Sequence, residues 1–362
     1  MRRIIIWIFL VGIFPGGMAQ EAPSDSSKAV KILGFKFHQG FVLIHSRNLR
    51  PVKNSYPRGL ELDMVWHYTT RNSWETCHCY PRLGIALTVW DYDNPEILGY
   101  GVTGLFFVEP VFGASKKLGF SVRAGLGLSY QSKPYDEESN PDNMSYSTTV
   151  AFPLQLGANM HLRLNPNWRL SATAVYNHFS NGGIREPNAG INWPSAAIGA
   201  DYYLKSAHFK TRVKKNWKEY GAPATRFDIT FFMAFKEPES KLYLFSPGIE
   251  LKISRQVALI NALTLGAEWI SDNGTRYEIE QAGAHHSHQK VSLAFGHEFI
   301  LGKFLFSQQF GVYLYKPYRV GADVYQRYGL VFRMNKRFST GISLKAHGHV
   351  ADFLDFRIGL SF

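Results

Sequence analysis

The sequence predicts an all-β protein, a transmembrane antiparallel β-barrel of about 14–16 strands. Three observations predict this fold class. Apolar and polar residues alternate with a period of two along most of the chain. No apolar run after residue 19 approaches the roughly 18 residues of a transmembrane helix. Long polar links also alternate with short turns. An aromatic content of 15% and 32 glycines agree with a barrel, although a large soluble sandwich has a similar composition.

The N-terminus has the layout of a secretory signal peptide. Two arginines precede an apolar run from Ile4 to Phe14, and small residues follow up to Ala19. The run is too short to cross a bilayer as a helix, so we expect residues 1–19 to be removed and the rest to be exported. Since no repeat, low-complexity tract or linker divides residues 20–362, we expect them to form a single barrel domain.

Period-two alternation is clearest in residues 58–68, RGLELDMVWHY. Leu60 and Leu62 share one face of the predicted strand, and Glu61 and Asp63 share the other. In a membrane barrel the apolar face meets lipid and the polar face lines the interior. Segments of this kind give sixteen predicted strands, at residues 36–47, 58–69, 80–91, 98–113, 117–130, 147–162, 167–180, 192–204, 225–236, 241–253, 256–270, 288–300, 302–315, 324–334, 337–347 and 350–362.

The links between the predicted strands differ in length from one side of the barrel to the other. Residues 132–146 and 271–289 are long and polar, whereas most links on the opposite side are tight turns. This asymmetry is typical of outer-membrane barrels, in which the long loops face outward. Two links on the short-turn side, 70–79 and 205–224, are long, and the sequence does not account for them.

The chain is basic, with a formal net charge of +12. Such a charge favours anionic partners, and for an exported protein we expect phosphorylated lipid rather than nucleic acid. Much of the excess lies between residues 205 and 219, where six Lys and Arg residues face one acid, Glu219. A solvated turn is the simplest interpretation of that run.

The two cysteines, Cys77 and Cys79, flank His78. A spacing of one residue strains a mutual disulfide, and one C-x-C with one histidine gives too few ligands for a closed zinc site. The sequence therefore predicts no metal centre here.

A histidine and a serine lie where one apolar strand ends. His178 and Ser180 continue the apolar face of residues 168–176, and Asn192 continues the apolar face of the next strand. If the loop 181–191 closes a hairpin, the three polar side chains meet on the lipid side of the barrel. Polar groups are costly there unless they lie at the headgroup level or have a function, and both alternatives remain open from these residues alone.

Residues 178–192, HFSNGGIREPNAGIN, resemble the signature of the lipid A 3-O-deacylases of the PagL type, the acyloxyacyl hydrolase family of outer-membrane barrel esterases. The family pattern is H-x-S-N, a glycine-containing turn, P-N-x-G, and an acid two residues further on. The matching positions are His178, Ser180, Asn181, Gly183, Pro187, Asn188 and Gly190.

This resemblance implies a serine esterase acting on lipid A or lipopolysaccharide in the outer membrane, without a metal or cofactor. Ser180 would be the nucleophile and His178 the general base, with Asn181 and the Gly183 N–H stabilising the oxyanion. The orienting acid of the family corresponds to Asn192, which has an amide instead of a carboxylate. Glu186 in the loop is a possible alternative acid.

Other interpretations remain. The simplest family members have eight strands, so an eight-stranded barrel followed by a second β domain is the alternative to one large barrel. A non-catalytic porin-like or surface-binding barrel is the rival function, because sixteen strands would enclose water and several charged residues are predicted to face the interior. Those residues are Glu61, Asp63, Arg169, Asp201 and Arg357. Transfer of the acyl group to a lipid alcohol instead of water is a third possibility.

Overall fold

The computed structural model describes residues 29–220, 224–239, 242–318, 321–348 and 350–362. The predicted signal peptide, residues 1–19, lies outside this part of the chain. The described residues form sixteen strands, each antiparallel to its neighbours, and these close into two barrels of eight strands.

The first barrel comprises the strands of the N-terminal half in sequence order. The last strand pairs with the first, from Ile32 opposite Tyr203 to Gly40 opposite Ser195, which closes the wall. Its strands are β1 (Ala29–Gly40), β2 (Arg58–Tyr68), β3 (Tyr80–Asp91), β4 (Tyr100–Phe112), β5 (Leu118–Gln131), β6 (Val150–Arg163), β7 (Trp168–Ser180) and β8 (Ile191–Tyr203).

The second barrel follows after a connecting segment. It closes through pairing of its first and last strands, from Asp228 opposite Ser361 to Ala234 opposite Asp355. Its strands are β9 (Thr225–Glu239), β10 (Leu242–Ala258), β11 (Asn261–Ser271), β12 (Gln289–Leu301), β13 (Phe304–Tyr315), β14 (Val324–Arg333), β15 (Phe338–His347) and β16 (Val350–Ser361).

Short helices occur only in links within the described residues. They are α1 (Arg71–Cys77), α2 (Asn273–Gln281) and the 3-10 turns Arg47–Val52 and Trp217–Tyr220. In the part of the chain described, every helix is too short or too polar to cross a bilayer.

The predicted fold class, a transmembrane antiparallel barrel, is confirmed, and the described strands number sixteen as predicted. Their grouping corrects our first expectation, since they form two barrels where one large barrel was expected for residues 20–362. The arrangement corresponds to the alternative of an eight-stranded barrel followed by a second β unit. Alternation along a strand is the same in a small and a large barrel, so the pattern does not reveal which strands close the wall.

The predicted orientation of the two strand faces is confirmed. Leu60 and Leu62 on β2 are more than half exposed on the outer surface, whereas Glu61 and Asp63 are buried inside. Lys36 lies between these two carboxylates and makes an ion pair with each of them. The apolar outer surface suits lipid, and pairing compensates the buried charges.

Paired charged side chains occupy the interiors of both barrels. In the first barrel Arg82 pairs with Asp201 at 2.9 Å, and in the second Arg357 pairs with Glu250 at 2.7 Å. Eight strands enclose a space just wide enough for such side chains. The wide lumen on which the porin-like alternative depended is therefore not formed by the described strands.

The two long links that the sequence left unexplained meet at one end of the first barrel, which we call the inner end. It is the end where β2 leads to β3 and β8 leads onward to β9. Trp74 of α1, Tyr80 and Phe209 belong to one buried apolar cluster there. The Tyr80 hydroxyl donates to the Lys210 carbonyl at 2.7 Å. The basic segment is thus anchored across the inner end of the barrel.

Cys77 and Cys79 form a disulfide, contrary to our expectation, with their Cα atoms 5.1 Å apart. His78 between them has a left-handed backbone, with φ 52° and ψ 33°, at the C-terminus of α1. This turn brings the two Cα atoms within the roughly 4.4–6.8 Å that a disulfide spans.

One predicted strand was displaced. The first strand was expected at residues 36–47 and runs over Ala29–Gly40. The alternation continues beyond its end, because Phe41 and Leu43 still face outward and are half exposed. Leu43 forms an isolated bridge to Asn192, so residues 41–43 behave like a strand without belonging to the ladder of β1 and β2.

Candidate active site

The end of β7 and the start of β8 form the hairpin that the sequence predicted. His178 lies directly opposite Asn192 in the ladder of β7 and β8. Phe179 and Trp193 alternate with them, face inward, and pack with ring centroids 4.6 Å apart. Because these two aromatic rings are buried, the polar side chains next to them are held on the outer face.

The side chains of His178 and Asn192 are hydrogen-bonded. The distance from His178 Nδ1 to Asn192 Oδ1 is 2.6 Å. The amide of Asn192 therefore occupies the place next to the imidazole that the family pattern gives to an acid. The predicted pairing of these two residues is present in the structure.

A second histidine, His45, extends this contact and was missed by the sequence analysis. The Asn192 side-chain nitrogen Nδ2 is 3.0 Å from His45 Nδ1. The other ring nitrogen of His45, Nε2, is 3.0 Å from the Ala189 carbonyl oxygen. The available signal was the alternation Phe41, Leu43, His45, which continues the outward face of β1 past the end of the strand.

Ser180 lies two residues from His178 on the same face of β7, roughly 6.6 Å along the strand. It is only 4% exposed, although it points to the outside of the barrel. The Gly182 N–H donates to Ser180 Oγ at 3.4 Å. Among the described residues no hydrogen bond joins Ser180 to His178, so the structure brings the two residues onto one face without linking them.

The two predicted oxyanion donors already have acceptors, in the loop 181–190 and in the link between β5 and β6. Asn181 is fully buried, and its amide nitrogen donates to Ser147 Oγ at 3.1 Å and to the Arg185 carbonyl. The Gly183 N–H donates to Asn181 Oδ1 at 3.1 Å. In this conformation Asn181 and Gly183 stabilise the loop, and the Gly182 N–H is the donor that reaches Ser180.

Glu186, the possible alternative acid, lies away from His178. It is exposed, and its carboxylate accepts from the Asn188 N–H at 2.9 Å within the loop. His178 Nδ1 is occupied by Asn192 instead. Asn192, and not Glu186, is thus the residue that contacts the imidazole of His178.

Asn188 and Gly190, two of the positions that match the family pattern, each have a structural role in the loop. Asn188 Oδ1 accepts from the Asn181 N–H at 2.8 Å, which ties the two ends of the loop together. Gly190 has φ +70°, and a Cβ added there would lie 2.8 Å from Cε1 of His178. The loop therefore packs directly against the imidazole ring, and a side chain at position 190 would displace it.

The second barrel contacts the loop next to Ser180. The N–H of Leu354, near the start of β16, donates to the Gly182 carbonyl at 3.0 Å. A Cβ added at Gly183 would lie 2.7 Å from the Asp352 carbonyl oxygen. The site therefore lies on the outer face of the first barrel, as the alternation predicted, but the loop and the second barrel shield it from open lipid.

Among the described residues no group of three or more His, Cys, Asp or Glu side chains is arranged to hold a metal ion. The groups at the site are a hydroxyl, two imidazoles, an amide and backbone donors. These are the groups of nucleophilic acyl transfer.

The fold and the site define an outer-membrane type of β-barrel protein with a serine and a histidine at the rim of its first barrel. The family model described as lipid A 3-O-deacylase (PagL) matches residues 59–200. The model described as acyloxyacyl hydrolase, C-terminal domain, matches residues 225–362. The two matches fall on the two barrels, so the first barrel is similar to the lipid A 3-O-deacylase (PagL) family and the second to the acyloxyacyl hydrolase C-terminal domain.

Several solved structures are similar in fold. The crystal structure of the outer membrane enzyme PagL is 14% identical with a TM-score of 0.33, over 46% of this chain and 97% of that one. Neisserial surface protein A is 11% identical with a TM-score of 0.33, over 48% and 97%. A mutant Rh. blastica porin is 10% identical with a TM-score of 0.22, over 92% and 100%. No curated protein matches the chain.

Proposed function

We propose that this protein is an outer-membrane serine esterase that removes an ester-linked acyl chain from lipid A or a related glycolipid. The observation that carries the proposal is the contact of 2.6 Å between His178 Nδ1 and Asn192 Oδ1. It orients the imidazole of His178 two residues away from the hydroxyl of Ser180. The family model that matches residues 59–200 is described as lipid A 3-O-deacylase and supplies the substrate class.

The proposed reaction has two halves. His178 Nε2 takes the proton of Ser180 Oγ while Oγ bonds to the ester carbonyl carbon, and the same proton then passes to the departing alcohol of the glycolipid. A water molecule next attacks the acyl-serine while His178 accepts its proton, and His178 returns that proton to Ser180 Oγ as the bond between Oγ and the acyl carbon breaks. The products are a free fatty acid, the deacylated glycolipid and the original serine.

This scheme requires a hydrogen bond between His178 and Ser180 that the described residues do not form in the conformation seen. Such bonds are often long or misaligned before substrate arrives and tighten in the complex. Burial of Ser180 supports the scheme, because exclusion of water strengthens the electrostatic contacts that act on the reacting atoms.

For the oxyanion we propose donors from the loop after Ser180. The Gly182 N–H already lies 3.4 Å from Ser180 Oγ. Asn181 and the Gly183 N–H, the donors implied by the family pattern, now bond to neutral oxygens of Ser147 and of the loop itself. A charged oxyanion is a stronger acceptor than those oxygens, so it can draw the donors away when it forms.

The position of the site supports a substrate that stays in the membrane. His178 and Ser180 lie at the end of an apolar outer face, where the wall passes from the hydrocarbon region to the headgroups. An ester between an acyl chain and a sugar lies at that same level. The acyl chain therefore need not leave the bilayer to reach Ser180.

The experiment that tests the proposal measures fatty acid released from lipid A by the purified protein in water enriched in oxygen-18. We expect wild-type protein to release a fatty acid that carries one heavy oxygen, since water attacks the acyl-serine, and Ser180→Ala to release none. Ser139→Ala, an exposed hydroxyl on another outer loop, is the matched control and should behave as wild type. Undiminished release by Ser180→Ala would refute the proposal, and acyl loss without free fatty acid would indicate transfer to another alcohol.

A further inference from the structure

We infer that His45 is a positioning residue that compensates for the amide at position 192, an inference that rests on the proposed function. The problem is that an amide, unlike a carboxylate, has two different ends. Only Oδ1 of Asn192 can accept from the Nδ1–H of His178. If Nδ2 faced His178 instead, the imidazole would have to accept at Nδ1 and carry its proton on Nε2, the nitrogen that must act as base.

A chain of three hydrogen bonds fixes the direction of that amide. It begins at the Ala189 carbonyl, which can only accept, so His45 must donate to it from Nε2. The neutral ring of His45 then has its lone pair on Nδ1. That lone pair accepts from Nδ2 of Asn192 at 3.0 Å. The carbonyl oxygen of the amide is thereby turned toward His178.

The last contact completes the assignment at the catalytic base. Since Asn192 Oδ1 can only accept, His178 must donate to it from Nδ1. A neutral His178 then has its lone pair on Nε2, the nitrogen that must take the proton of Ser180. One backbone carbonyl therefore determines the tautomer of the base through two intervening side chains.

The backbone holds His45 in place for this task. The Leu43 N–H donates to the Asn192 carbonyl at 2.8 Å, which aligns residues 43–45 with the start of β8. Leu43 and His45 lie two residues apart and share a face, so His45 comes to the side chain of Asn192. Its partner Ala189 belongs to the same loop as Gly190, which packs on the ring of His178.

The inference is tested by a double-mutant cycle with wild type, His45→Phe, Asn192→Asp and the double variant. Phenylalanine keeps a ring at position 45 without its nitrogens, and aspartate has two equivalent oxygens that need no orientation. We expect His45→Phe to lower kcat about 10-fold or more with little change in KM. In the Asn192→Asp background, the same substitution should lower kcat by less than about two-fold. Equal losses in both backgrounds, or no loss in either, would overturn the inference.

A second measurement does not depend on any substrate. Nitrogen-15 NMR of histidine-labelled protein in micelles distinguishes the two neutral tautomers of His178. We expect the Nδ1–H form in wild type and a substantial share of the Nε2–H form in His45→Phe. Migration on gels as a folded barrel confirms that both proteins fold. An unchanged tautomer in His45→Phe would contradict the inference. If Ser180→Ala retained full activity while the tautomer changed as expected, the proposed function would fail and the positioning by His45 would stand.

Discussion

At the scale of single residues, the amide of Asn192 distinguishes this site from the family pattern. An amide can orient the imidazole of His178, but it cannot stabilise the imidazolium by charge as a carboxylate does. The structure adds a hydrogen-bonded histidine on the far side of that amide. The orientation of the His178 imidazole is therefore retained in this chain. What the amide lacks is only the electrostatic stabilisation of the imidazolium that a carboxylate would give.

Gly190 offers a direct test of how closely the loop fits the base. We expect Gly190→Ala to lower activity at least about 10-fold, because its Cβ would lie 2.8 Å from Cε1 of His178 and would displace the ring. The measurement is the initial rate of fatty acid release by folded protein.

Gly283→Ala is the matched control for this prediction. Gly283 also has a positive φ, +60° against +70° at Gly190, but a Cβ there would have no neighbour within 4 Å. Both substitutions carry the same backbone strain of about 1–2 kcal/mol. Equal activity of the two variants would show that strain, and not displacement of His178, decides the result.

At the scale of the elements, the link between β8 and β9 packs against the first barrel as well as connecting the two barrels. The segment after β8 returns to the barrel that it leaves, where Phe209 packs 4.4 Å from the ring of His67, measured between ring centroids. The Arg212 side chain donates to the Tyr80 hydroxyl at 3.1 Å, close to the bond from that hydroxyl to Lys210. The segment thereby closes the inner end before the chain enters the second barrel.

We predict that Phe209→Ala will release this segment from the barrel. Truncation of a buried phenylalanine costs about 3–5 kcal/mol, and Phe209 is 8% exposed. Trypsin should then cut the Lys- and Arg-rich residues 205–218 at least about 10-fold faster than in the wild type. The rate is measured by mass spectrometry of the fragments. Val213→Ala, at a position that is 87% exposed, should leave the rate unchanged. Equal rates for Phe209→Ala and wild type would mean that Phe209 does not anchor the segment.

The sequence predicts the positions of the strands far better than how the strands close into barrels. It also does not predict which segments lie beside the strand ends. β3 was predicted at its observed bounds, because both faces of residues 80–91 alternate and turns flank them. His45 could not be assigned, since its role depends on residues 41–45 lying beside β8, a contact between segments nearly 150 residues apart. Grouping into two barrels likewise depends on which distant strands pair, and a period of two carries no information about that.

At the scale of the whole molecule, the two barrels are in contact and the site lies at one end of that contact. Phe106 on β4 and Phe304 on β13 have ring centroids 5.6 Å apart. Near the start of β16, Leu354 donates its N–H to the Gly182 carbonyl. The second barrel therefore contributes a wall to a site whose reacting groups all belong to the first.

We expect Leu354→Ala to lower esterase activity several-fold although the residue lies in the other barrel. Leu354 is 8% exposed, and its truncation loosens the surface against which the loop after Ser180 packs. Phe356→Ala is the control, because Phe356 lies two residues along the same strand and is 53% exposed. The rates of fatty acid release should differ between these variants. Equal rates would indicate that the second barrel does not support the site.

Attack of Ser180 on an acyl ester of lipid A is tested most directly by the mass of lipid A from a Gram-negative host that produces the protein. We predict a species lighter by one acyl chain with wild-type protein and its absence with Ser180→Ala, when both proteins are folded in the outer membrane. The same lighter species in both strains would show that Ser180 is not the nucleophile, and unmodified lipid A in the strain that produces folded wild-type protein would show that lipid A is not deacylated.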